Sequence, residues 1–166
     1  MKLEYDNDTG VINVDHILNC LPDIPLEVAK QFLSDHGRKE HFQLQYARLD
    51  LAKLRWNRVY ETAEKISMAS VFSEFRNWFE QVGYRAEDIA IKNWQCIDRR
   101  QAVQAHWREH QTWLVPPILL RGDLVSTCSR YHLAEGHTRV GLLRGLISKG
   151  ILASDSMHII WLGASS

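Results

Sequence analysis

Residues 131–146 read YHLAEGHTRVGLLRGL, and they decide the fold predicted for their half of the chain. A short apolar run ends at Glu135, a glycine follows, and apolar residues then recur at helical spacing. The pattern predicts a strand, a glycine turn and a helix. An acid, an imidazole, a hydroxyl and a guanidinium stand within five positions, from Glu135 to Arg139. The turn is therefore the first candidate for a functional site.

The helix that follows the turn makes an anion the expected ligand. Gly136 lets the backbone turn sharply and approach a bound group closely. The first N–H groups of a helix have no internal partner, and the helix dipole adds partial positive charge beside them. An anion is therefore the expected occupant. The candidate phosphate-binding residues are Gly136, His137, Thr138 and Arg139.

Two residues of the turn, Glu135 and His137, are candidate catalytic groups. Glu135 is suited to hold Mg²⁺, to accept a substrate proton or to fix Arg139. His137 is suited to act as an acid or base near neutral pH, or to donate to a phosphate. In the alternative, structural interpretation the glycine only makes the turn, Glu135 pairs with Arg139, and the imidazole is solvated.

The elements predicted around the turn form a small mixed β-sheet with packed helices. Pro116 and Pro117 separate a helix from a short apolar strand, and a polar loop then leads to the next strand. The order of helix, strand, hairpin, strand, helix and strand is typical of an α+β fold. The predicted elements are a helix at about 98–110, strands at 118–120, 131–135 and 157–162, a loop at 121–130 and a helix at 138–148.

Residues 1–97 are predicted to be mostly helical and to pack on the α+β core of residues 98–166 as one compact unit. Prolines before Leu26 and a glycine at position 37 mark the two ends of one helix. Asp50 is a candidate cap for a second helix, and aromatic residues at helical spacing indicate a third. The predicted segments are strands at 11–14, 89–91 and 94–97 and helices at about 26–36, 51–59 and 71–82.

Composition is ordinary for a cytoplasmic globular protein. The 166 residues are 45% hydrophobic and 24% charged, which is enough apolar material for a normal core. No apolar run approaches membrane-spanning length, and the acidic N-terminus lacks the apolar region of a secretory signal. The cysteines at positions 20, 96 and 128 form no closely spaced pair, which favours a reducing compartment.

Charge and histidine spacing argue against two other classes of site. Residues 1–98 hold 12 Lys and Arg against 16 Asp and Glu, whereas residues 99–166 hold 8 against 4. This small basic excess disfavours a protein that coats nucleic acid. His106 and His110 share a helix face, but the sequence between them does not match a zinc motif, so no metal site of the protein's own is predicted.

Residues 98–163 resemble the ParB/sulfiredoxin-like (ParB-like nuclease domain) superfamily. In that family a strand reading roughly Q-P-I-x-V leads through a hairpin to a second strand, and a G-x-x-R turn then opens a helix before the last strand. Residues 115–120 are similar to the first strand, and residues 131–139 are similar to the second strand and its phosphate-binding turn. Residues 140–150 and 158–162 stand where the family has its helix and last strand.

The turn departs from two branches of this superfamily. Sulfiredoxins have G-C-H-R, and His137 stands at the cysteine position, so the resemblance does not imply sulfiredoxin chemistry. Partition proteins have G-E-R-R, with two charges that are absent from this turn. The pattern acid-Gly-His-x-Arg is most similar to the serine-kinase-like branch, which has a second histidine at the position of Thr138.

The resemblance implies a nucleotide bound through its phosphates at residues 136–139, with Glu135 near the metal or the reacting group. The implied activity is NTP hydrolysis or phosphotransfer, and the implied cofactors are Mg²⁺ with ATP, ADP or CTP. Two alternatives stay open. One is a non-catalytic interaction or immunity-type protein that binds a protein partner through its N-terminal helical half. The other is a nuclease or nucleic-acid-binding accessory.

Overall fold

A four-stranded mixed sheet lies at the centre of the computed structural model, which describes residues 5–165. The strands are β1 (Leu54–Thr62), β2 (Ile118–Arg121), β3 (Tyr131–Glu135) and β4 (Met157–Ser165). Their order across the sheet is β1-β4-β2-β3. Strand β2 runs parallel to β4 and antiparallel to β3, and β1 pairs antiparallel with β4. The expected α+β class with a small mixed sheet is confirmed.

Helices cover the sheet on both faces. Helix α2 continues directly into a π-helix, Ala29–Ser34, and short 3₁₀ turns connect several of the other helices. Among residues 5–165, none of the helices has the length and apolar content that a membrane crossing needs. The α-helices are α1 (Val14–Cys20), α2 (Leu26–Val28), α3 (Glu40–Gln45), α4 (Ala63–Ser67), α5 (Arg76–Gly83), α6 (Ile89–Lys92), α7 (Gln101–His110) and α8 (His137–Ser148).

The hydrophobic core has two parts, one on each face of the sheet. Side chains alternate between faces along a strand, so Leu119 packs into one part while Ile118 and Leu120 pack into the other. The first part includes the apolar side of α8, and the second includes Phe32 and Leu33 of the N-terminal helices. Residues 12–34 therefore cover one face of the sheet, while α8 packs on the opposite face together with α4 and α5.

Helix α5 crosses α8 at a close glycine contact, which fixes the surroundings of the α8 N-terminus. A Cβ atom at Gly145 would collide with the backbone of Gly83, so a side chain at this crossing would push the helices apart. Phe75, in the 3₁₀ turn before α5, then lies against His137 at the start of α8, with 4.3 Å between ring centroids. This crossing places aromatic side chains beside the predicted functional turn.

The helix predicted after Asp50 is wrong, because residues 54–62 form strand β1. Leu54, Trp56 and Val59 lie in a nine-residue strand that pairs with β4 along its whole length, from Leu54 opposite Ser165 to Thr62 opposite Met157. Aromatic and β-branched residues suit a strand, and pairing with a distant segment overrides a weak helical spacing. The N-terminal half is therefore less helical than expected, since it contributes an edge strand.

Three short strands predicted in the N-terminal half are also wrong. At 11–14 only one isolated bridge forms, between Ile12 and Tyr5, because the Asn13 side chain caps helix α1 by accepting the His16 N–H at 3.1 Å. Residues 89–91 lie in α6, and residues 94–97 lie largely in a 3₁₀ turn. The helix predicted at 26–36 is confirmed as helical, although π geometry was not expected for it.

The predictions for the C-terminal half are confirmed. Strands β2, β3 and β4, the loop between β2 and β3, and helices α7 and α8 all lie within a few residues of the predicted positions. The antiparallel pairing of β2 with β3 confirms the hairpin.

Candidate functional site

The glycine turn between β3 and α8 has the geometry that its sequence predicts. Gly136 has φ of +99°, and a Cβ atom there would lie 2.6 Å from Cβ of Pro117. Both the backbone conformation and the space therefore favour glycine. The first helical hydrogen bond runs from the Val140 N–H to the Gly136 carbonyl at 2.9 Å. The N–H groups of residues 137–139 consequently stand at the open end of α8.

Glu135 lies between two hydrogen-bond donors, the side chains of His36 and Arg139. Its Oε2 lies 3.2 Å from Nε2 of His36, and its Oε1 lies 3.5 Å from Nη2 of Arg139. Burial alone would raise the pKa of Glu135, but the hydrogen bond from His36 and electrostatic interactions with His36, Arg139 and His137 lower it below the usual value. Glu135 is therefore ionised at neutral pH, and about a quarter of its side chain remains exposed, at 24%.

Arg139 anchors the segment that precedes β2. Its Nη1 donates to the carbonyl oxygens of Val115 and Pro116, at 2.8 and 3.4 Å. Burial lowers the pKa of Arg139, but a guanidinium starts so high that it stays charged. The Nη1 contacts and the long contact from Nη2 to Glu135 leave N–H capacity at Nε and Nη2. Arg139 therefore supports the turn internally and still has donors for an anion.

His137 is a neutral ring with one unmet hydrogen bond. Its Nε2 is buried, and none of the described residues 5–165 is a hydrogen-bond partner for it. Burial lowers the pKa of His137, and the opposing charge of Glu135 only partly offsets this effect. A buried polar atom without a partner destabilises a protein by about 1–3 kcal/mol, so such atoms are uncommon away from functional sites. The ring is packed on Phe75 and is therefore well fixed in position.

A cleft of about 810 Å³ opens at the N-terminal end of α8. It brings together all five predicted residues of the turn, including Thr138. Three other parts of the chain also contribute: the π-helix and the turn after it, the region around α5, and residues 97–115. The lining residues outside the turn include Gln31, Asp35, His36, Phe75, Trp78, Asp98, Arg100, Trp107, Trp113 and Val115.

Several residues of this cleft were not predicted from the sequence. Gln31 and His36 belong to the N-terminal half, which had been assigned only packing or partner contact. The Nε2 of Gln31 is, like that of His137, buried and has no hydrogen-bond partner in the described part of the chain. Asp98 and Arg100 form a two-point ion pair at the rim, with contacts of 2.8 and 2.9 Å. Only the folded chain reveals these contributions, because the segments are distant in sequence.

The described residues 5–165 contain no group of three or more His, Cys, Asp or Glu that is arranged to hold a metal ion. His106 and His110 have ring centroids 4.5 Å apart on α7, but neither residue lines the cleft. No family model, curated protein or solved structure matches the chain.

Proposed function

We propose that this protein binds a nucleotide through its phosphate groups at the N-terminal end of α8, in the manner of the ParB/sulfiredoxin-like superfamily that residues 98–163 resemble. The observation that carries the proposal is that residues 135–139 all line one cleft. The volume of about 810 Å³ falls within the range of small-molecule sites, which is roughly 300–1,000 Å³. The cleft is thus large enough for a whole nucleotide.

Three kinds of donor support phosphate binding. The N–H groups at the start of α8 lie at the positive end of the helix dipole, an arrangement that suits an anion. Thr138 adds a hydroxyl on the cleft, and Arg139 adds the N–H groups that its internal contacts leave over. Charge-assisted hydrogen bonds of this kind are stronger than those between neutral groups.

The walls of the cleft suit the base of a nucleotide. Trp78 is 46% exposed on the cleft, and Phe75 lies next to the turn. Stacking on an aromatic side chain contributes about 1–3 kcal/mol for each base in proteins that bind single strands, and the same physics applies to a mononucleotide. The proposed orientation therefore places the phosphates at α8 and the base towards Trp78.

The proposed reaction is NTP hydrolysis or phosphotransfer. Glu135 is ionised and open to the cleft, which suits it to accept a proton from water or from a hydroxyl substrate. Arg139 and the helix N-terminus would stabilise the charge that develops on the phosphoryl oxygens. Mg²⁺ usually reaches such sites with the phosphates and keeps several water ligands.

Isothermal titration calorimetry with ATP, ADP and CTP in the presence of Mg²⁺ tests the proposal directly. Thr138→Glu is the informative variant, because a carboxylate in the first turn of α8 suits the helix dipole yet repels phosphate. We expect wild type to bind at least one nucleotide and the variant to lose that binding without losing thermal stability. Arg144→Ala is the matched control on the same helix, since Arg144 is exposed and lies over Phe79, outside the cleft.

Two results would contradict nucleotide binding. One is the absence of a binding signal for all three nucleotides with folded wild-type protein. The other is equal binding by wild type and Thr138→Glu, which would place the nucleotide away from α8.

A non-catalytic interaction protein is the second candidate function, and one observation favours it. Glu135 and Arg139 already contact other groups of the protein, namely His36 and the Val115 carbonyl. Such contacts also suit a fold that is kept for binding a protein rather than for chemistry. A purified partner that binds wild type and the Thr138→Glu variant equally, while no nucleotide binds wild type, would support this function over the first.

A further inference from the structure

The cleft contains a histidine that reaches it by an unusual backbone path. Residues Ala29–Ser34 form a π-helix, in which the Asp35 N–H bonds to the Lys30 carbonyl five residues earlier, at 3.4 Å. Segments of π-helix are rare and occur frequently at functional sites. The turn that follows carries His36 to the cleft, where its Nε2 lies 3.2 Å from Oε2 of Glu135.

The contacts of His36 determine which ring nitrogen carries the proton. Nζ of Lys39 lies 3.1 Å from Nδ1 of His36. An ammonium group only donates, so Nδ1 must accept and Nε2 must carry the ring proton that faces Glu135. His36 is therefore a fixed donor to one carboxylate oxygen, while Arg139 approaches the other oxygen at the longer distance of 3.5 Å.

We infer that His36 is a positioning residue of the α8 site: it holds one oxygen of Glu135 and so keeps the carboxylate from closing on Arg139. This inference rests on the proposed function of the cleft. A free carboxylate beside a guanidinium forms a two-point pair with parallel N–H donors. Nε and Nη2 are the donors of Arg139 that remain after Nη1 has bonded to Val115 and Pro116. They are also the donors that an anionic ligand needs.

The two oxygens of Glu135 therefore contact different groups, and this arrangement leaves donors of Arg139 available to a ligand. With His36 present, Oε2 is occupied and only one long contact reaches the guanidinium. Without His36, Glu135 would turn towards Arg139 and compete with a phosphate for the same N–H groups. His36 acts on the ligand only through this carboxylate, and its effect must disappear when the carboxylate is absent. This dependence distinguishes a positioning role from general support of the fold, such as the stacking of His36 near Phe42 at 6.4 Å.

A double-mutant cycle with ATP and with inorganic tripolyphosphate, each with Mg²⁺, tests the inference. We expect His36→Leu to weaken binding by about tenfold or more, because it removes a charge-assisted hydrogen bond that holds the site open. His36→Gln should bind within about threefold of wild type, since its amide N–H can replace the Nε2 donor. The same His36→Leu change should have no effect in a Glu135→Gln background. His41→Leu is the control, because His41 is exposed and outside the cleft.

Each result decides the inference. Weak binding by His36→Leu, rescue by His36→Gln and loss of the effect in the Glu135→Gln background support it. If His36→Leu binds as wild type does, or weakens binding equally in both backgrounds, the inference fails while the proposed function stands. If wild type binds neither probe, the proposed function fails and the inference falls with it.

Discussion

A carboxylate lies at each end of strand β3, and the two are held very differently: Glu61, from β1, is buried, and Glu135 is half-buried. At the first residue of β3, the Tyr131 hydroxyl donates to Oε2 of Glu61 at 2.6 Å. The other oxygen of Glu61 accepts from Nζ of Lys65 at 2.9 Å and from the Thr62 N–H at 3.0 Å. At the last residue of β3, the partners of Glu135 among residues 5–165 are His36 and Arg139, at 3.2 and 3.5 Å.

The difference separates a structural carboxylate from one that is open to a ligand. The Glu61 side chain is 9% exposed and has short partners on both oxygens, whereas the Glu135 side chain is 24% exposed and faces a cleft. Burial would raise the pKa of Glu61, but hydrogen bonds from Tyr131 and Lys65 lower it to about 2. Satisfied hydrogen bonds stabilise the fold, while long contacts beside an open cleft leave capacity for another molecule.

Removing the first carboxylate should have the largest effect on stability. Glu61→Leu leaves the buried Tyr131 hydroxyl without its acceptor and also removes the hydrogen bonds from Lys65 and from the Thr62 N–H. Hydrogen bonds to a charged group contribute about 1.5–3 kcal/mol each, so we expect a loss of about 3–5 kcal/mol. Urea unfolding of the variant and of wild type measures the difference. Glu80→Leu, at an exposed position on α5, is the control and should change stability by less than about 0.5 kcal/mol. A small effect at Glu61 would remove the basis of the comparison.

The middle of β3 contributes the next largest effect, through His132. Burial and the nearby charge of His137 lower the pKa of His132 to about 4 from a usual 6.5. Below pH 6.5 the His132 side chain is protonated in the unfolded chain but stays neutral in the folded chain. The free energy of unfolding therefore falls as pH drops from 6.5 to 4. The difference between the unfolded and folded pKa values of His132 corresponds to a loss of about 3 kcal/mol in the free energy of unfolding.

His132→Gln should remove that loss, because an amide does not titrate but can still pair with the hydroxyls of Ser70 and Tyr46. Urea unfolding at pH 7 and pH 4 is the measurement. Some pH dependence should remain in the variant, since burial also lowers the pKa of His158 to about 4. If both proteins lose the same stability between pH 7 and pH 4, the burial of His132 does not control its protonation.

The two ends of β3 also differ in how well the sequence predicts them. The cleft end follows from local signals: Pro116 and Pro117 before β2, the apolar run of β3, Gly136 and the helical spacing after it. The arrangement around Glu61 does not follow from local signals. Its strand, β1, pairs with β4, which lies roughly a hundred residues away in sequence, and its alternation is too irregular to exclude a helix. Long-range pairing is invisible to a reading of local patterns.

The same limit applies within the candidate site. Residues 135–139 were predicted because a turn concentrates their chemistry in sequence. His36 and Gln31 were missed because nothing in residues 29–37 distinguishes a helix end that packs from one that enters a cleft. The distinction depends on the π-helix and on its contact with β3, and both are tertiary outcomes.

Protonation of Glu61 should lower the free energy of unfolding somewhat less than the Glu61→Leu substitution does. Its folded pKa of about 2 lies below the ordinary 4.5, so its contribution to stability is complete above pH 4.5 and is lost as pH falls towards 2. Between pH 5 and pH 2.5 the loss should be about 2–3 kcal/mol. Glu61→Gln should be less stable at pH 5 and should lack this part of the acid dependence in unfolding experiments. If the free energy of unfolding varies with pH in the same way for wild type and for Glu61→Gln, then Glu61 has the same pKa in the folded and the unfolded state.

Neutralising the carboxylate at the cleft should have the smallest effect on stability. Glu135→Gln keeps an oxygen that can accept from His36 or Arg139, and its contacts in the wild type are long and partly exposed. We therefore expect a change of about 1 kcal/mol or less in the free energy of unfolding, measured in urea at pH 7. The same amide substitution at Glu61 is the matched comparison and should have a larger effect. If Glu135→Gln destabilises the protein as much as Glu61→Gln does, Glu135 belongs to the structural network, and the cleft loses its strongest candidate for a group that serves a ligand.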